Sequence, residues 1–115
     1  MKGRTCVDAK TIIVNLLKED QKDYLSIDRL LKLVSFIYDE LDKLGKLDSY
    51  QISFDINFYS IERTVQCNSD IFKLDIDGEH LRLRKRASVE RLAERYRVDD
   101  TLVSIIKEFH NQNVA

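Results

Sequence analysis

The sequence predicts an α+β fold: a single, mainly helical domain over residues 1–115 with one β-hairpin. Three observations predict it. From Ile27 to Leu44 apolar residues recur at intervals of three and four, the spacing of a long helix. Two short runs, Phe72 to Ile76 and His80 to Arg84, flank Asp77-Gly78, a pair suited to a tight hairpin turn. Proline is absent and glycine occurs only at Gly3, Gly45 and Gly78, so few positions force a helix to stop. At 115 residues the chain is one domain in size and can bury one modest core.

The first helix is expected over Val7 to Lys18, where Ile12, Ile13, Leu16 and Leu17 share a face and the polar run Glu19 to Asp23 ends it. Ser26 then suits an N-cap, because its hydroxyl can accept from the first-turn N–H groups, and Asp28 suits the positive helix end. In the long helix Ile27, Leu30, Val34, Ile37, Leu41 and Leu44 form a heptad-like seam, widened by Leu31 and Tyr38, and Gly45 occupies the position just past the end. Leu33 and Phe36 fall off that stripe. A helix apolar on more than one side is either central to the core or shared with a partner. Central burial is the favoured reading; in the alternative, Leu33 and Phe36 are the candidate partner-binding residues, in a homodimer seam or in a groove for another protein.

Ile52, Phe54, Ile56 and Phe58 alternate with Ser53, Asp55 and Asn57, the period of a strand with one buried face. After Tyr59 the period changes. Ser60 caps a short helix, expected to Asn68, with Ile61 and Val65 inward and Arg63, Thr64 and Gln66 outward. The hairpin follows, with a type I′ turn at Asp77-Gly78 that needs positive φ at both residues. Two helices close the chain, from about Val89 to Tyr96 and from about Asp100 to His110.

Composition narrows the function classes. Nineteen Lys and Arg against 20 Asp and Glu leave a net charge of −1, which denies the chain the global basic field of a non-specific DNA coater. The charge is nonetheless uneven. His80 to Arg97 holds seven Lys/Arg and two Glu, a local +5 that leaves −6 elsewhere. No apolar run is long enough for a membrane span and the first residues lack a signal-peptide apolar region, so a cytoplasmic protein with reduced, buried Cys6 and Cys67 is expected. His80, His110, Cys6 and Cys67 are too widely spaced for a metal motif, and no phosphate loop, nucleophile elbow or HExxH occurs. No catalytic residues, metal or cofactor are expected. Asp75, Asp77, Asp99 and Asp100 read as turn and capping groups, and His110 as a charge at a helix C-terminus.

A short helix followed by a hairpin with a basic second strand is how a winged helix is assembled. In that arrangement the short helix enters the major groove and offers Arg63, Thr64 and Gln66 to base edges or phosphates. With Leu81 and Leu83 inward, Arg82, Arg84 and Arg86 stand on the solvent face beside Lys85, where guanidinium groups can seek phosphates. Arg91 and Arg95 extend that surface. The same row of charges also fits a solvated edge strand guarded against aggregation.

The terminal helices resemble the helix-turn-helix of bacterial regulators at Leu92, Ala93, Val98, Val103 and Ile106. Ala93 is expected to be small because the two helices approach there. Arg97 stands where a left-handed glycine is usual, and Asp99-Asp100 repels phosphate, so this pair is read as a support for the hairpin surface and not as its reader. Over about Val7 to Arg84, the succession of helices and hairpin, with Leu30, Leu31, Leu33, Tyr59, Ser60, Ile61 and Val65, resembles small prokaryotic winged-helix modules of the Panacea-type antitoxin domain. Asn57-Phe58 stands where such modules often carry glycine-proline. The resemblance implies a role in antitoxin action, phage defence or transcriptional control. The expectation is a non-enzymatic module binding double-stranded DNA through the basic hairpin and short helix. The alternative is a phage- or defence-related inhibitor or antitoxin that binds a partner protein.

Overall fold

A computed structural model describes residues 4–53, 57–85 and 87–112. In chain order these form β1 (Thr5–Val7), α1 (Ala9–Asp20), β2 (Tyr24–Ser26), α2 (Ile27–Lys43), a 3-10 turn (Leu47–Ser49), β3 (Tyr50–Ile52), α3 (Phe58–Cys67), β4 (Phe72–Leu74), β5 (His80–Leu83), α4 (Val89–Arg95) and α5 (Asp100–Gln112). The fold is α+β and mainly helical. Among the described residues no helix is long and apolar enough to cross a membrane.

Asp8 separates a strand from a helix that apolar spacing alone runs together. Its carboxylate accepts from the Thr11 N–H at 2.9 Å and caps α1, which leaves Val7 in β1. Glu19 and Asp20 are still helical. The helix ends at Gln21, whose φ of 53° is left-handed and lets its N–H reach the carbonyls of Leu17 and Lys18. Ser26 caps α2 as expected, its Oγ accepting from the Arg29 N–H at 3.1 Å, and Gly45 follows Leu44 with a φ of 68°.

α2 is apolar on more than one side because it is central. Ile27, Leu30, Leu33, Val34, Ile37 and Leu41 are all buried. Leu33 is fully covered by the chain's own core, as central burial of the helix requires, so it offers no surface to a partner and the partner-binding alternative fails at this residue. Phe36 is half-buried and packs against Phe109 of α5, with ring centroids 5.6 Å apart and planes tilted by 54°. Leu44 is exposed, so the last position of the seam lies off the core.

The strand expected over Ile52 to Phe58 is shorter and earlier. β3 runs parallel to β1, pairing Thr5 with Tyr50 and Val7 with Ile52. Phe54 and Ile56 lie outside the described residues, and the backbone of Phe58 already belongs to α3. Asn57, not Ser60, caps that helix, its Oδ1 accepting from the Ser60 N–H at 2.8 Å. The earlier cap lengthens the helix at its start without changing its periodicity, so Ile61 and Val65 still face inward as expected.

The second sheet has the order β2-β5-β4, all antiparallel. Leu25, Phe72, Leu81 and Leu83 are buried on its inner face. Tyr24, Arg82 and Lys73 align as one cross-strand row on the other. The turn is not type I′. Gly78 has a φ of 69°, but Asp77 is not left-handed. The Asp75 N–H donates to the His80 carbonyl and the Asp75 carbonyl accepts from the Gly78 N–H, both at 2.9 Å, which closes a wider loop. Ile76, the last residue of the expected strand, sits in that loop and is fully exposed.

α4 and α5 both dock chiefly on α1, and α5 also on α2. Ala93 is the buried residue of α4, and the main packing partner of that helix is α1, not the other terminal helix. Arg97 is not left-handed, so the turn carries none of the strain a glycine would relieve. Asp99 accepts from the Leu102 N–H at 3.0 Å and from the Tyr50 hydroxyl at 2.5 Å, tying the start of α5 to β3.

Candidate nucleic-acid interface

α3 packs against β4 and α1 through the buried Ile61 and Val65. Arg63 and Gln66 are exposed, as expected. Thr64 is half-buried and its Oγ1 donates to the Ser60 carbonyl at 3.0 Å, so its proton is used within the helix. Arg63 and Thr64 also line an open polar groove of about 620 Å³ with Ser60, Lys10, Tyr38 and Ser53, between α3 and the start of α1.

The base of the hairpin is tied to the end of α3. Arg84 Nε donates to the Ser69 carbonyl at 2.5 Å, two residues past Cys67. Arg84 and Lys85 are exposed, and among the described residues neither forms an ion pair. Arg63, Gln66, Arg84 and Lys85 are thus carried on directly adjoining elements.

Arg82 departs from the expectation of a free phosphate-seeking group. Its Nε and Nη2 donate to the two carboxylate oxygens of Asp75, both at 3.2 Å, Asp23 lies at 4.0 Å, and its guanidinium stacks over the Tyr24 ring at 5.3 Å. The register explains this. Lys73 faces Arg82 directly, and Asp75 comes two residues later on the same face, within reach of the diagonal neighbour. Hydrogen bonds from Arg82 to Asp75, together with that carboxylate's charge, raise the guanidinium pKa further. A phosphate would have to displace two carboxylates. Arg86 lies outside the described residues.

Arg91 and Arg95 are exposed on α4, but α4 docks chiefly on α1, whereas α3 docks on β4. Arg95 lies over the Tyr96 ring at 5.7 Å. The structure therefore carries these two on an element whose main packing partner is α1, apart from the α3–β4 packing that carries the other candidates.

The hairpin tip has the opposite character. Ile76 stands fully exposed between Asp75 and Asp77, with Glu79 beyond. Asp77 accepts from the Glu79 N–H at 2.8 Å and lies 3.2 Å from His80 Nδ1; that backbone hydrogen bond first, then the His80 contact, holds its carboxyl below the usual carboxylate range. The negative tip is unsuited to phosphate, so any backbone contact belongs to the base of the hairpin. Strand alternation assigns Ile76 to the buried set with Phe72 and Leu74, which hides its exposure from a reading of the sequence.

Nothing in the local sequence pattern marks a second, well-covered polar cluster. Asp20, with a side chain only 7% exposed, accepts from Arg29 Nε at 2.8 Å and Nη2 at 2.7 Å, and His110 Nδ1 lies 2.7 Å from its Oδ1. Burial alone would raise the Asp20 pKa, but hydrogen bonds from Arg29 and then His110 outweigh it and hold the carboxyl low. His110 is thus a partner of Asp20 as well as a group near a helix end. Cys6 and Cys67 are free but exposed, contrary to the expected burial. Among the described residues no three His, Cys, Asp or Glu side chains converge in a way that could hold a metal ion.

No protein-family model, curated protein or solved structure matches this chain.

Proposed function

We propose that the chain is a non-enzymatic, cytoplasmic regulatory module that binds double-stranded nucleic acid through α3 and the base of the β4–β5 hairpin. The path of the chain carries this reading. The strand between the first two long helices adds to the edge of the hairpin, giving the order β2-β5-β4, and α3 immediately precedes the hairpin and packs on it. A winged helix follows the same path. In that architecture the helix before the wing enters a groove, so Arg63 and Gln66 would meet the bases while Arg84 and Lys85 meet the backbone. The Panacea-type resemblance points the same way.

Fluorescence anisotropy with a labelled duplex tests it. Binding should be measurable at about 50 mM salt and weaken on a log–log slope of roughly −2 to −3, as expected for about three neutralised phosphates. Lys85→Glu and Arg63→Glu should each reduce affinity. Absence of binding at low salt, or binding indifferent to both variants, sinks the proposal.

The exposed Ile76 supports a second reading, in which the acidic tip anchors a partner protein whose apolar pocket has a basic rim, as in an inhibitor or antitoxin. The two readings part at one substitution. Ile76→Ser leaves duplex affinity intact under the first and removes the anchor under the second.

A further inference from the structure

The solvent-facing ridge of α2 carries Asp28, Lys32, Ser35, Asp39 and Lys43, all exposed, within an arc of roughly 80° at 100° per residue. The buried residues of the helix lie on the opposite side. Within that arc, which leaves the exposed Asp42 about 20° outside its edge, the charges run minus, plus, neutral, minus, plus along the helix. Read backwards, every sign inverts. When two such helices lie antiparallel about a dyad between Ser35 and Phe36, Asp28 of one copy faces Lys43 of the other, and Lys32 faces Asp39. At the centre the small Ser35 faces the large Phe36. Phe36 borders an open groove of about 460 Å³ beside Lys32, Ser35 and Asp39, which leaves room for a side chain from outside.

We infer that this ridge is a self-complementary surface, and that its partner is a second copy of the chain in antiparallel contact along α2. Charge and size complementarity both centre on the same dyad. A two-fold contact requires this coincidence, because each residue must match a different residue of the same patch. A parallel pairing would set Lys32 on Lys32 and Asp39 on Asp39. The ion pairs already present on the ridge do not oppose the contact. Lys32 holds Asp28 at 2.9 Å between exposed side chains and the exposed Lys43 reaches the partly covered Glu40 at 3.6 Å; both are pairs within one helix with solvent-exposed lysines, and exchanging them for pairs across the dyad sacrifices little. Asp39 forms no ion pair among the described residues. The core-facing Leu33 takes no part. The inference is independent of nucleic-acid binding, since the contact needs only the protein.

Charge exchange tests it. Sedimentation equilibrium of the full chain, without nucleic acid and at low salt, should show a reversible monomer–dimer equilibrium that stops at two copies. Lys32→Asp and Asp39→Lys should each weaken dimerisation by about tenfold in Kd, because the dyad doubles every like-charge contact. The double variant Lys32→Asp/Asp39→Lys restores opposite signs across the dyad and should return to within about threefold of the parent. All these positions are exposed, and circular dichroism establishes that each variant is folded. A chain that stays monomeric at about 1 mM, a dimer indifferent to either single reversal, or one that the double variant fails to restore overturns the inference.

Discussion

Asp20 and His110, 90 residues apart in sequence, meet at 2.7 Å, and Arg29 closes on the same carboxylate with two further hydrogen bonds. One acidic side chain thereby joins the end of α1 to the first turn of α2 and the last turn of α5. A carboxylate this well covered repays its desolvation only while both partners stay in place. Asp20→Asn keeps the shape but removes the charge. It should cost about 2 kcal/mol, or roughly 8 °C in Tm, measured by thermal unfolding.

The same cluster sets an acid limit. The folded pKa of Asp20 is below its ordinary value of 3.8, so its contribution is complete above that value and is lost as pH falls through the lower folded one. Asp77, also lowered, acts in the same window but from an exposed site. Urea midpoints should therefore fall steeply below about pH 4, and Asp20→Asn should flatten that fall. If the variant's pH curve runs parallel to the parent's, the cluster does not govern acid stability.

At Gly78 a φ of 69° coincides with open space around the missing side chain. Gly78→Ala should cost about 1–2 kcal/mol through backbone conformation alone, without any clash, and denaturant unfolding measures this. Ile76→Ser, two residues away, should shift stability by less than about 0.5 kcal/mol because Ile76 touches no core.

Arg82 and Lys85 should separate in function although both lie in the same basic run. Lys85→Ala should weaken the proposed duplex binding and reduce the salt slope by about one. Arg82→Ala should leave affinity nearly unchanged, because Asp75 already occupies its guanidinium. Anisotropy titrations at several salt concentrations distinguish the two.

Where the sequence was legible, one dominant periodicity had no competitor. The apolar steps of α2, its Ser26 cap and Gly45 all follow from local rules. Between Ile52 and Phe58 two signals overlapped, a strand alternation and the Asn57 cap of a helix, and nothing local chose between them. The β1–β3 pairing was invisible because it joins short segments remote in sequence. In the candidate interface, burial of Ile61 and Val65 and exposure of Arg63 and Gln66 followed from helical spacing. The capture of Arg82 by Asp75 is a diagonal side-chain contact across the hairpin, which the alternation of inward and outward residues does not display, so counting arginines overstated the charge available to a ligand.

The parallel pairing of β1 with β3 also has a kinetic consequence. Thr5 reaches Tyr50 only after α1, β2 and α2 have been laid between them, so its hydrogen bonds close a long loop and yield little until the helices are packed. Three residues on each side give that small ladder few bonds with which to resist opening. Its amides should be among the last protected during refolding and among the first to exchange in the native protein, which would make this end of the molecule the place where unfolding begins.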